Sequence, residues 1–236
     1  MSQQVSKDTH KTEVDRESAR PSRRLLVGAA AVALLSIGTF VVYQSRDDGV
    51  TGQPPVEVAT SFIEAYGAFD AERAITYLAD DPDISQMITS VGAQGVEGTL
   101  EEFRLLVSLL EAQGYKQTLI SCEELRSTAS GTVVHCTSDY HNLRSDEIGR
   151  GPFSAVSFYL TVRDREIVEA RKEFGVEEFS TQMWEPFASW VSKAYPEDAA
   201  LMYEDETHSG VRLTEESVGL WERHTREYVE EVGRNT

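Results

Sequence analysis

The chain has 236 residues, with 40 Asp and Glu against 22 Lys and Arg, for a formal net charge of −18 at pH 7. So large an excess of carboxylates excludes nucleic acid as a partner, since phosphate binding needs Lys and Arg to displace counterions, and it disfavours anionic lipid surfaces. No cofactor is expected, because the sequence holds no glycine-rich phosphate loop, no Gly-x-Ser-x-Gly elbow and no His-Glu-x-x-His.

Residues 1–24 carry six basic and four acidic side chains, a net +2 that leaves −20 for the remainder. With almost no apolar residues this stretch cannot bury a core, and it is expected to be a disordered tail. Residues 25–43, LLVGAAAVALLSIGTFVVY, are uncharged. At about 1.5 Å per residue, a helix of this length nearly crosses a hydrocarbon core of about 30 Å. Arg16, Arg20, Arg23 and Arg24 precede the run, whereas Arg46 follows it beside Asp47 and Asp48. The positive-inside rule then leaves the tail in the cytoplasm and everything after Tyr43 outside, on a single-pass anchor in the cell membrane. The run is longer than the apolar core of a signal peptide and lacks an Ala-x-Ala site, so cleavage is not expected. Ser22-Arg23-Arg24-Leu25-Leu26 also fits a twin-arginine export signal loosely. Residues 44–55 form a linker broken by Gly49, Gly52, Pro54 and Pro55.

One extracytoplasmic domain is expected over residues 56–232, which is long enough for a proper core. Val58, Phe62, Tyr66 and Phe69 share one face of a first helix. Asp70 can cap a short second helix carrying Ala74, Tyr77 and Leu78, and the polar residues 80–98 read mostly as loop. Thr99-x-x-Glu102 is a capping box for a third helix with Phe103, Leu106, Val107 and Leu110 inside, ended by Gly114. The pattern then becomes alternating. Residues 115–126 and 132–142 read as a hairpin, and residues 153–163 and 165–174 as a second one turning near Asp164. Pro186 can open a helix with Phe187, Trp190, Val191 and Ala194 inside, and Thr214 can cap the last helix.

Helices gathered before an antiparallel meander imply an α+β fold. Ala59-Thr60-Ser61-Phe62-Ile63-Glu64-Ala65-Tyr66 and Phe69-Asp70-Ala71-Glu72-Arg73-Ala74-Ile75-Thr76-Tyr77-Leu78, with the helix–helix–helix then four-strand order, resemble the nuclear transport factor 2-like superfamily, SnoaL-type cyclases included. The resemblance spans about residues 56–174 and implies a cone-shaped curved antiparallel sheet with three helices packed on it. The helices from about residue 175 are an extension beyond that minimal cone. An anchor followed by such a domain is similar to anchored actinobacterial proteins, including those associated with mammalian-cell-entry transport systems. Relatives often pair through the outer sheet face, so a homodimer is one implied state.

Cys122 and Cys136 are the two cysteines, both on the outward side, where oxidising conditions favour a disulfide. If the hairpin turns around Ala129, residues whose numbers sum to 258 face each other, and this pair does. With no second Cys pair, no metal site is expected. The same register sets Glu123 opposite His135, on one face with Ser121, Asp139 and His141. Lining the cone, Glu123, His135, Asp139 and His141 could act as acid and base, as ionisable residues do in cyclases and isomerases of the superfamily. The opposite face, with Ile120, Cys122, Val134, Cys136 and Tyr140, is more apolar and fits the core better, which would leave the ionisable set in solvent. Tyr66, Tyr77 and Trp190 are candidate ligand-pocket residues. Trp184, Phe187, Trp190 and Tyr195 form either a ligand site or core. The acidic stretch 204–208 lacks the regular spacing of a calcium loop, and His224 reads as an exposed flank. The expectation is a non-catalytic membrane-tethered domain that binds a cell-envelope or membrane protein, or a small apolar ligand. A cyclase- or isomerase-type enzyme is the alternative.

Overall fold

The computed structural model describes residues 53–234, so the expected tail, the apolar run 25–43 and most of the linker lie outside the described residues. Helix α1 (Pro55–Gly67) opens at a proline whose missing N–H costs nothing in a first turn. Asp70 accepts a hydrogen bond from the Arg73 N–H and caps α2 (Ala71–Ile75). Strand β1 (Leu78–Asp83) and helix α3 (Ser85–Thr89) follow, then α4 (Leu100–Ala112). At its start the Thr99 hydroxyl accepts from Glu102 N–H while the Glu102 carboxylate accepts from the Thr99 N–H, a complete capping box. Strands β2 (Lys116–Thr128), β3 (Gly131–His141), β4 (Phe153–Arg163) and β5 (Glu166–Phe174) come next. Helices α5 (Glu177–Phe179), α6 (Glu185–Ala194), α7 (Pro196–Met202) and α8 (Glu215–Arg234) complete the chain. A π-helical turn, Ser180–Trp184, joins α5 to α6.

The fold is α+β, with a five-stranded mixed sheet in the order β1-β5-β4-β3-β2. Two expectations change here. The chain was expected to continue its second helix to Leu78 and to form loop over residues 80–98, but Leu78 starts β1, parallel to β5. Pro82 and the acidic residues around it hide the strand from any pattern of alternation, and such residues are tolerated because β1 is an edge. The meander of four antiparallel strands is therefore a mixed sheet of five.

The first hairpin also departs from a simple turn. The loop is Ala129-Ser130, and the register near it sums to 259, with Thr128 opposite Gly131. Bulges at Leu125 and Ile120 shift it, to 258 at Cys122–Cys136 and Glu123–His135 and to 257 beyond. As the bulged residue, Ile120 leaves the core face and is 60% exposed. The Cys122–Cys136 disulfide is formed.

The inner sheet face carries Val134, Cys136, Ser138 and Tyr140 from β3 and Val156, Phe158 and Leu160 from β4, all buried. Against it lie Phe62 and Tyr66 of α1, with Phe103 of α4 stacked on Phe62 and tilted against Tyr66. Helix α8 packs on α4, where the Thr225 hydroxyl donates to the Ala112 carbonyl. One continuous core runs from Val58 to Val229. Among the described residues no helix is long and apolar enough to cross a membrane.

Candidate functional site

Alternation along β5 sends Ala170, Lys172 and Phe174 to the inner face. Lys172 is thus carried into the apolar interior, where it is 3% exposed. Its Nζ donates to the Tyr66 hydroxyl at 3.1 Å and the Tyr115 hydroxyl at 3.4 Å. Four rings surround the same atom, with centroids at 4.2 Å (Phe174), 4.6 Å (Tyr115), 4.9 Å (Tyr66) and 5.3 Å (Phe158). Its hydrogen-bond partners are two phenols rather than a carboxylate, and desolvation holds the amine well below the ordinary lysine range. Burial also pushes both phenols up. The polar chain continues from the Tyr115 hydroxyl to Gln117 Oε1 at 3.1 Å, and from Gln117 Nε2 to the Ile63 carbonyl at 3.0 Å.

Phe174 also faces outward from this cage into a cleft of about 500 Å³. One wall is a run of aromatic rings: Phe174 and Phe179 lie 5.3 and 5.7 Å from Tyr140, and Trp184 lies 6.4 Å from Phe179. Ser180 and Trp184, the two ends of the π-helical turn, both line it. The extra residue of such a turn re-aims side chains, a device common at functional sites. Gln113, Asn142, Glu185, His208 and the segment Thr89–Gly92 are also part of the lining. The Tyr140 hydroxyl donates to the Gly175 carbonyl at 3.2 Å, and burial, then the Glu178 carboxylate, push this phenol up.

His208 is fixed from several sides. Its backbone sits at φ 55°, a region non-glycine residues visit at a cost. Trp184 Nε1 donates to its carbonyl at 2.9 Å, its Nε2 lies 2.8 Å from Ser192 Oγ, and the Tyr203 ring stands edge-on at 4.6 Å. Asp205 accepts from the Thr207 N–H and hydroxyl at 2.8 and 2.6 Å, and these bonds hold its carboxyl below the usual range. The side chain that could have ligated a cation instead closes this loop, and no group of three metal-ligating side chains occurs among the described residues.

The acid–base set expected from sequence lies elsewhere. Glu123, His135, Tyr159 and Arg171 stand in one row across β2, β3, β4 and β5, on the sheet face opposite the buried one. There His135 stacks on Tyr159 at 4.7 Å and shares a 3.1 Å hydrogen bond with Ser157 Oγ, while Arg171 covers the other ring contact at 4.4 Å. Asp139 is half-buried on the same face of β3, and His141 Nδ1 lies 3.1 Å from the Arg150 carbonyl and 3.2 Å from Ser145 Oγ. None of Glu123, His135, Asp139 and His141 lies on the buried inner face of the sheet, because the inward parity belongs to Val134, Cys136 and Tyr140. Tyr66 is sealed under Lys172, and Tyr77 is half-buried at the start of β1. Trp190 packs against Tyr195, Tyr228 and His224 and donates to Glu231 at 3.0 Å. Of the aromatic stripe, Trp184 alone lines the cleft. His224 is fully buried rather than an exposed flank, with Asp198 Oδ2 at 2.8 Å and Glu227 Oε2 at 2.9 Å, so it ties α7 to α8.

No protein-family model and no curated protein matches the sequence. Solved structures do. A provisionally named polyketide cyclase of Pseudomonas putida is 16% identical, covering 56% of this chain and 98% of its own, with a TM-score of 0.39. A nuclear transport factor 2-like protein of unknown function from Cytophaga hutchinsonii is 14% identical, covering 55% and 98%, with a TM-score of 0.36. An LEH-like epoxide hydrolase of Mycobacterium tuberculosis is 17% identical, covering 60% and 95%, with a TM-score of 0.37.

Proposed function

We propose that this chain is a non-catalytic, membrane-tethered extracytoplasmic domain whose aromatic cleft binds a small, largely apolar ligand. The observation that carries the reading is the cleft itself: about 500 Å³, walled by Tyr140, Phe174, Phe179 and Trp184, with a few fixed polar groups at Gln113, Asn142 and His208. Sites for small molecules are built this way, with apolar walls for affinity and sparse polar groups for orientation. The most unusual ionisable group, Lys172, is enclosed by side chains and lines none of the cleft, which argues against a substrate reaching it. The apolar run 25–43 and its one-sided arginines support the tether, which would keep the domain concentrated near a membrane partner.

The test is a titration of Nile red, a neutral apolar fluorophore, into residues 53–236, a segment that carries the whole core from Val58 to Val229. Saturable emission enhancement is expected, and Trp184→Ala should weaken it by about tenfold, as losing one large ring contact implies. Enhancement that is absent, or that Trp184→Ala leaves unchanged, would overturn the reading.

A further inference from the structure

The charge of the cleft says what kind of molecule it takes. Among its lining residues the ionisable side chains are Glu185, His208 and the Tyr140 phenol, and neither Lys nor Arg is present. The exposed Glu185 carboxylate is held at the opening by the Ser180 hydroxyl, which donates to it at 3.1 Å. A second carboxylate, Glu178, is held by Gln182 Nε2 at 2.9 Å and lies near enough to act on the Tyr140 phenol. The rings of Tyr140, Phe174, Phe179 and Trp184 line the same cleft, and aromatic faces attract positive charge. The chain as a whole is at −18, so its field draws cations toward an acidic opening and disfavours anions.

We propose that the ligand of this cleft is a small organic cation with an apolar body, a quaternary or protonated amine, held by the rings of Trp184, Phe179 and Phe174 and by the Glu185 carboxylate. The inference rests on the ligand-binding reading above and names the chemistry of its ligand. An acid or phosphate would find neither lysine nor arginine in the lining. A neutral ligand would use the rings but not the carboxylates. Lys172 is 3% exposed and sealed behind the Phe174 ring, and burial holds its amine well below the ordinary lysine range, which weakens any opposition it offers to a cation in the cleft. The same Phe174 ring packs 4.2 Å from that amine, which shows that these side chains can accommodate an amino group closely.

The experiment compares choline with its neutral isostere 3,3-dimethyl-1-butanol by ligand-observed NMR, using the full chain in dodecyl maltoside. Choline should bind more tightly by about three- to thirtyfold, the range that cation–π contacts span from exposed to desolvated sites. Raising the salt to 0.5 M should weaken choline and leave the alcohol unchanged. Glu185→Gln alters an exposed side chain, so it keeps the fold even if Trp184→Ala does not, and it should weaken choline by about fivefold without affecting the alcohol. Equal or tighter binding of the alcohol would overturn the cation assignment and leave the apolar cleft standing. Binding of neither probe also overturns the assignment, and the Nile red titration then decides separately whether the cleft binds anything. Choline binding that Glu185→Gln and salt leave untouched overturns the proposed role of charge.

Discussion

Lys172 behaves as an interior side chain that happens to end in an amine. Burial lowers its proton affinity, so between its depressed native value and the ordinary lysine value near 10.4 the unfolded chain holds a proton that the native chain lacks. Stability therefore rises with pH across that window, by at most about 1.4 kcal/mol per pH unit. Lys172→Met should remove this slope: the variant is expected to be the more stable protein at pH 7, with the gap closing toward pH 9.5 in urea midpoints. A gap that does not change with pH would mean that the amine stays charged in the fold. The comparison stops at pH 9.5 because the buried phenols Tyr66, Tyr115 and Tyr203 are pushed up, so above pH 10 ionisation in the unfolded chain begins to destabilise the fold. Lys172 was not legible in the sequence, where Arg171-Lys172-Glu173 reads as a solvated charge run. The phase was there to be seen, since Ala170 and Phe174 share its parity. What no pattern supplies is that the partners, Tyr66 and Tyr115, lie on α1 and just before β2.

At the scale of elements, local chemistry carried most of the information. Thr99 and Glu102 marked the start of α4, Thr214 marked α8, where its hydroxyl accepts from the Ser217 N–H, and β4 and β5 end within a residue or so of their alternation. Elements held only by tertiary contact escaped: β1 is an edge with a proline, and α3 and α7 are short. The hairpin register shows how a right answer can have a hidden cause. Cys122 does face Cys136, but the Leu125 bulge, and not a turn centred on Ala129, brings them opposite. The bridge joins residues 14 apart and restrains the unfolded chain, so reduction should cost about 3 kcal/mol in the chain-entropy model. The urea midpoint with and without reductant, against the double variant Cys122→Ser/Cys136→Ser, measures it, and a midpoint that does not move would assign the bridge no stabilising role.

For the molecule as a whole, the cleft draws on segments near residues 90, 140, 175–185 and 208, so no linear window of sequence contains it. The proposed tether is a separate matter of composition. With residues 25–43 the chain should sediment with membranes after a carbonate wash, and without residues 1–52 it should remain in the supernatant still folded. Recovery of the intact chain in the supernatant would remove the anchor from the reading. The sheet, meanwhile, ends on β2, a strand of 13 residues whose outer rim is unpaired among the described residues. Such a rim is a template on which another chain can grow a sheet. The bulges at Ile120 and Leu125 divide it into runs of four, four and three residues that are out of step with one another. Both breaks put an apolar side chain outward, at 60% and 46% exposure, and bulges of this kind are one device by which an edge strand is made a poor template for pairing. Deleting Leu125 keeps Glu124 opposite Val134 and fuses two runs into one. The shortened chain is expected to self-associate with rising concentration in sedimentation velocity, while the natural chain does not grow through this edge.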